Sequence, residues 1–179
     1  AGGRADLFIQ NIDTFHGIQA KPIQVYSFPS SVQASPTFSP DSRKIAFVSD
    51  KEGTPRIYLI DTPLGIVGSK RPDTVCLTTK HRENTCPSWS PDGRKLAYSA
   101  KVDGIRQIWI YDFDKNEEMP LTTGPLHKEN PSWASNSFHL IYNTCDNDES
   151  ELYVVNLNGK TPRRITNGLG KKHYPSWEH

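Results

Sequence analysis

The sequence predicts an all-β fold, a β-propeller of four-stranded antiparallel blades, on three observations. One string recurs along the chain: Ser35-Pro-Thr-Phe-Ser-Pro-Asp-Ser-Arg-Lys-Ile-Ala-Phe-Val-Ser49, Cys86-Pro-Ser-Trp-Ser-Pro-Asp-Gly-Arg-Lys-Leu-Ala-Tyr-Ser-Ala100 and Asn130-Pro-Ser-Trp-Ala-Ser-Asn-Ser-Phe-His-Leu-Ile-Tyr-Asn-Thr144, with a partial copy in Tyr174-Pro-Ser-Trp-Glu-His179. Its anchoring prolines, Pro36, Pro87, Pro131 and Pro175, are 51, 44 and 44 residues apart, a period that belongs to propeller blades. The residues between them alternate large and small or apolar and polar, the period of strands rather than of helices.

Each element of a repeat has a physical reason. Pro91-Asp92-Gly93 offers a fixed φ, a side chain that caps its own turn and a residue at ease with positive φ, so it reverses the chain between a first and a second strand. A third strand begins 21 residues after each proline, at Ile57, Ile108 and Leu152, and is closed at one common offset by Asp61, Asp112 or Asn156. A fourth is expected at Leu77-Thr-Thr, Leu121-Thr-Thr and Ile165-Thr-Asn, followed by a seven-residue loop into the next proline. In the third repeat Ala134-Ser-Asn-Ser-Phe138 replaces the Pro-Asp-Gly turn, which predicts a weaker hairpin there.

On this register the chain opens with a half blade at residues 5–33, whose strands are Leu7-Phe-Ile-Gln-Asn11 and Pro22-Ile-Gln-Val-Tyr-Ser-Phe28. Full blades span about 34–79, 85–123 and 129–167, and one more first strand is expected at 173–179. The first blade carries an insertion within Thr62 to Asp73, expected to be an exposed loop. The whole of 1–179 reads as one propeller domain whose ring looks incomplete: a fragment of a larger ring, or else a four-bladed body with one defective blade or two copies that complete each other; open sheet edges would invite dimerisation of the isolated piece.

Composition narrows the function. With 35% hydrophobic residues, 23% charged and a formal net charge of +1, the chain is not a polyelectrolyte, so nucleic acid is not expected as a partner. No apolar run reaches the ~20 residues of a membrane span, and no signal peptide opens the chain. Cys76, Cys86 and Cys145 fit no metal spacing, and their strand positions place them too far apart for a disulfide. The sequence holds no Gly-x-Ser-x-Gly, no phosphate-binding glycine loop and no His-Glu-x-x-His, so the expectation is a non-catalytic protein without cofactor or metal.

The strings Pro87-Ser-Trp-Ser-Pro-Asp-Gly-Arg-Lys-Leu-Ala-Tyr98, Gln107-Ile-Trp-Ile-Tyr-Asp112 and Arg164-Ile-Thr-Asn-Gly168 resemble the WD-like repeats of the TolB propeller family. Similar repeats occur in propellers attached to prolyl-oligopeptidase-type serine peptidases. The ending Pro175-Ser-Trp-Glu-His179 is similar to the way TolB-type propellers terminate. The resemblance implies part of a six-bladed ring, a periplasmic location and a role in the Tol-Pal envelope-integrity system. It also implies binding to the lipoprotein Pal and to other Tol proteins. The alternative implied by the same repeats is a substrate-gating propeller separated from its peptidase domain.

Recognition is expected where the repeats differ. The loops Lys80-His-Arg-Glu-Asn-Thr-Cys86, Gly124-Pro-Leu-His-Lys-Glu-Asn130 and Gly168-Leu-Gly-Lys-Lys-His-Tyr174 keep one length and vary in sequence, the mark of a binding surface on a constant scaffold. The candidate docking residues are His81, Arg82, Glu83, His127, Lys128, Glu129, Lys172, His173 and Tyr174. His81, His127 and His173 sit six, four and two residues before their prolines, so they do not form an equivalent trio for a metal. The column Phe38, Trp89, Trp133 and Trp177 is expected to pack between blades, and Asp41 and Asp92 to cap their turns.

Overall fold

The computed structural model describes residues 5–12, 21–63, 72–145, 149–159 and 161–177, and all regular structure among them is β. Strands β1 (Leu7–Ile9) and β2 (Ile23–Tyr26) form a two-stranded sheet. Three four-stranded antiparallel sheets follow, each a simple meander. The first joins β3 (Gln33–Phe38), β4 (Lys44–Ser49), β5 (Arg56–Asp61) and β6 (Val75–Cys76). The second joins β7 (Asn84–Trp89), β8 (Lys95–Val102), β9 (Ile105–Asp112) and β10 (Glu117–Pro120). The third joins β11 (His127–Trp133), β12 (His139–Cys145), β13 (Leu152–Asn156) and β14 (Arg163–Arg164).

Strand alternation builds the core. In β4, Ile45 and Phe47 face the two-stranded sheet and cluster with Leu7, Val25 and Tyr26, while Ala46 and Val48 face the second blade. In β8, Leu96, Tyr98 and Ala100 pack back on the first blade and Ala97 points on to the third. Each strand therefore supplies one side chain set to each interface, and the large-small alternation sets how closely the sheets stack. Full burial of each aromatic or branched side chain in these layers stabilises the fold by about 1.5–3 kcal/mol.

The turns form as their residues dictate. Asp92 Oδ1 accepts from the Ser90 hydroxyl at 2.6 Å and the Arg94 amide at 3.0 Å, and Gly93 lies at φ +71°. Asp41 does the same with Ser39 and Arg43. The third hairpin keeps this geometry: Asn136 Oδ1 accepts from the amides of Phe138 and His139 at 2.9 and 3.1 Å, and Ser137 takes the glycine position at φ 57°.

Three expectations change. The fourth strands lie one step earlier than Leu77, Leu121 and Ile165, because the threonine after each hydrophobic residue turns its hydroxyl onto the third strand. The amides of Ile57, Ile108 and Leu152 donate to Thr78, Thr122 and Thr166 at 3.0, 2.9 and 2.9 Å. Among the described residues, the stretch expected as a first strand at 173–179 joins no ladder. A first strand takes its ladder from the strand after it, and no described strand pairs with this one; a bridge from Lys171 to Ser150 and a bond from the Trp177 amide to the Ser132 hydroxyl of β11 hold it instead. Phe38, expected to pack between blades with the tryptophans, is 48% exposed, whereas Trp133 is 1% exposed. Residues 64–71 of the expected loop insertion, and Glu178 and His179, lie outside the described residues.

Candidate functional site

The variable loops meet their innermost strands through a repeated backbone device. Ser35, Cys86, Asn130 and Tyr174, each just before the anchoring proline, lie at φ 49°, 54°, 54° and 52°. In the three complete blades the ladder slips at this point, between Ala34 and Thr37, Thr85 and Ser88, and Glu129 and Ser132. A bulge of this kind bends the strand and re-aims its side chains. Cys86 bridges to the next blade, with Sγ 3.2 Å from Asn130 Oδ1, and Asn130 Nδ2 donates to Asn143 within its own blade at 2.9 Å. Burial pushes the Cys86 thiol up from its ordinary pKa, which keeps it a neutral donor.

Three residues before each proline stands a side chain with N–H donors, and every one folds back into its own loop. Gln33 Nε2 donates to the Ser31 hydroxyl at 2.6 Å, Asn84 Nδ2 to the His81 carbonyl at 2.6 Å and Lys128 Nζ to the Leu126 carbonyl at 2.9 Å. Lys172 Nζ donates to the carbonyls of Gly168 and Gly170 at 2.6 and 2.9 Å and lies 3.3 Å from Glu151. The Thr166 hydroxyl, together with Arg164 and Lys172, holds the Glu151 carboxyl below its usual range.

Two members of the expected docking set are drawn into their own loops. Lys128 is only 7% exposed, and burial lowers its pKa; Lys172 is tied into its carbonyl cradle. Both ammonium groups donate to carbonyls of their own loops, because irregular backbone leaves carbonyls that need donors.

Of the remaining candidates, Glu83, His127 and Glu129 meet at an arginine from the neighbouring hairpin. Arg106, on β9, has Nε 2.9 Å from Glu129 and a terminal nitrogen 3.8 Å from Glu83, and donates to Thr85 at 3.1 Å. Lys101 closes the group at 2.9 Å from Glu83, and the Arg106 amide donates to His127 Nδ1 at 3.2 Å. Half-buried His81 lies edge-on to Trp109 with ring centroids 4.4 Å apart. Arg82 and His173 are exposed, and Tyr174 is 80% exposed. Sequence reasoning missed Arg106 and Lys101; the signal was the Asp103-Gly104 turn, which returns the chain to the end of the sheet where the variable loops lie.

The other residues have the positions expected of scaffold. Trp133 donates its indole N–H to the Ser88 carbonyl of the preceding blade at 3.0 Å, and Trp89 is buried in the interface between the first two complete blades. Among the described residues no three His, Cys, Asp or Glu side chains converge as a metal site, and no helix is long and apolar enough to cross a membrane.

Meander sheets of four strands stacked through both faces, with variable loops at one end, define a β-propeller. The family model described as the TolB beta propeller domain matches residues 2–179. A "Protein TolB homolog" of Protochlamydia amoebophila is 50% identical over 130 residues, 73% of this chain and 28% of that protein. A "Tol-Pal system protein TolB" of Alcanivorax borkumensis is 39% identical over 79 residues, 39% of this chain and 15% of that protein. The solved structure of a putative TolB from Agrobacterium tumefaciens superposes with TM-score 0.80 at 22% identity, covering 97% of this chain and 59% of that one. The chain belongs to the TolB β-propeller family. Its matches span about a quarter of the Protochlamydia relative and less of the Alcanivorax one.

Proposed function

We propose that the loop end of this propeller is a protein-docking surface of a periplasmic Tol-Pal system and that its partner is a Pal-like lipoprotein, with no chemistry performed by the chain itself. The observation that carries the reading is the division of labour in the loops. Asn84, Lys128 and Lys172 hold the loop backbone from within, while Arg82, His173 and Tyr174 are exposed on the same set of loops that carries Glu83 and Glu129. A preorganised surface of mixed charge with an exposed tyrosine suits a protein partner, since ordering costs at binding are reduced. Family membership and the Tol-Pal names of relatives supply the partner class. The peptidase alternative rests on the shared fold alone.

The test is affinity for the soluble domain of a Pal-like lipoprotein by calorimetry. Arg82→Glu and Tyr174→Ala are expected to weaken binding about tenfold or more, as central contact residues do. Arg43→Glu, at the opposite end of the blades, leaves binding unchanged. Wild-type affinity in both loop-end variants would sink the reading.

A further inference from the structure

At the turn end of the blades, opposite the variable loops, each interface between complete blades opens into a notch, and the two notches differ. The one between the first and second complete blades has a volume of about 410 Å³ and is lined by Pro40, Leu59, Trp89 and Phe113, with the carboxylates of Asp41 and Asp92. The next has a volume of about 340 Å³ and shares some of the equivalent positions one blade on, Asp92, Lys95, Ile110 and Ser137 among them, with Leu157 where Phe113 stood and no tryptophan in its wall.

The tryptophans account for the difference. Trp133 is turned into the interface, where its N–H reaches Ser88 at 3.0 Å. The buried N–H of Trp89 has no partner among the described residues, and its ring is instead stacked on Phe113, with centroids 4.9 Å apart and planes 7° from parallel. An unmet buried donor is unfavourable, so the first notch keeps an aromatic wall at the expense of the hydrogen bond that its counterpart makes.

The nearby cations are largely committed elsewhere. Lys44 is 2.8 Å from Asp61, Arg94 2.7 Å from Asp114 and Lys95 3.8 Å from Asp112. Arg43 lies 3.9 Å from Asp41 in an exposed pair, and Asp92 forms no ion pair of that kind among the described residues. Partial burial opposes ionisation of Asp92, but the Ser90 hydroxyl and the Arg94 amide, with the charges of Lys95 and Arg94 adding to them, hold the carboxyl below its usual range. The Ser39 hydroxyl and the Arg43 amide do the same for Asp41.

We propose that this notch is a second recognition site, separate from the loop end, for an extended peptide segment carrying an aromatic side chain next to lysine or arginine. The ring enters between Pro40 and the Trp89–Phe113 stack, where aromatic surfaces add to simple burial. The neighbouring cation is drawn by one carboxylate from each blade.

Nuclear magnetic resonance of the ¹⁵N-labelled chain tests this directly. The Trp89 indole resonance is identified by its loss in Trp89→Phe. It is expected to shift saturably with acetyl-Ser-Phe-Lys-Ser-amide at millimolar concentration and to show roughly fivefold weaker binding of acetyl-Ser-Phe-Glu-Ser-amide, as exposed charge pairs allow. Phe113→Leu, which copies the next blade, weakens the lysine peptide roughly fivefold, and Asp41→Asn narrows the preference for lysine over glutamate. The Trp133 indole resonance reports that each variant is folded. No saturable shift at Trp89, equal binding of the two peptides, or wild-type affinity in folded Phe113→Leu overturns the proposal. If Phe113→Leu does not fold, an unchanged charge preference in Asp41→Asn does so.

Discussion

The indole N–H of Trp133 donates to the main-chain carbonyl of Ser88 at 3.0 Å, tying the innermost strand of one blade to that of the blade before it. Trp89 holds the same place one repeat earlier with no such bond among the described residues. Trp133→Phe removes a hydrogen bond and part of a packed ring and is expected to destabilise the chain by about 1–2 kcal/mol. Trp89→Phe removes no bond and should cost less than half as much. Urea midpoints at constant slope measure the difference.

The parts legible in the sequence were those dictated by local chemistry and strand period. The Asp41 and Asp92 turns follow from residues within five positions of one another, and the faces of β4 and β8 follow from alternation. What depended on meetings between distant segments was not legible. A lysine in a polar loop ordinarily points to water, so nothing in the sequence indicated that Lys128 and Lys172 would turn back onto carbonyls of their own loops. Arg106 joins Glu83 and Glu129 only because adjacent blades bring a hairpin and two loops together. The fates of Trp89 and Trp133 diverge through Phe113 and Leu157, residues that look interchangeable as hydrophobic strand-end positions.

The threonine that ends each blade makes a second comparison possible. Thr122, 3% exposed, accepts from the Ile108 amide at 2.9 Å and donates to Gln107 at 3.0 Å. Thr122→Val preserves shape but strands a buried amide, and the expected loss is about 1–3 kcal/mol. Thr166→Val, in the more exposed copy, should lose less. Amide hydrogen exchange at Ile108 is expected to accelerate in Thr122→Val; unchanged stability and exchange would show that another group satisfies the amide.

Lys128 gives a pH dependence of definite sign. Burial lowers its pKa in the folded state from the ordinary 10.5, so the unfolded chain holds the proton more tightly. Its charged form weighs against folding at neutral pH, and that penalty is relieved as pH rises from the depressed folded value towards the unfolded one. Measured as a difference from Lys128→Met, the wild-type chain should gain stability over this alkaline window below pH 10.5. A constant difference across it would mean that the ammonium is better solvated than its burial indicates.

Glu118 joins the second blade to the loop leaving the first. Only 6% exposed, its Oε1 accepts from the Thr79 amide at 2.8 Å and the Lys80 amide at 3.1 Å, while Oε2 accepts from the Tyr98 hydroxyl at 2.7 Å. Glu118→Gln must turn an amide NH₂ towards one of these donor sets, and the expected cost is about 1.5–3 kcal/mol, the range for hydrogen bonds to a charged group. Tyr98→Phe removes one donor and should cost about 1 kcal/mol. Because both changes break the same contact, their double mutant should cost less than the sum. Burial first, and the Glu118 carboxylate second, raise the Tyr98 pKa above its ordinary 10.0. The stability this provides is complete below pH 10.0 and is lost as pH rises above it. In Tyr98→Phe that alkaline loss should be smaller, and an unaltered alkaline limb together with additive mutants would place the Tyr98–Glu118 contact outside the forces that hold the blades together.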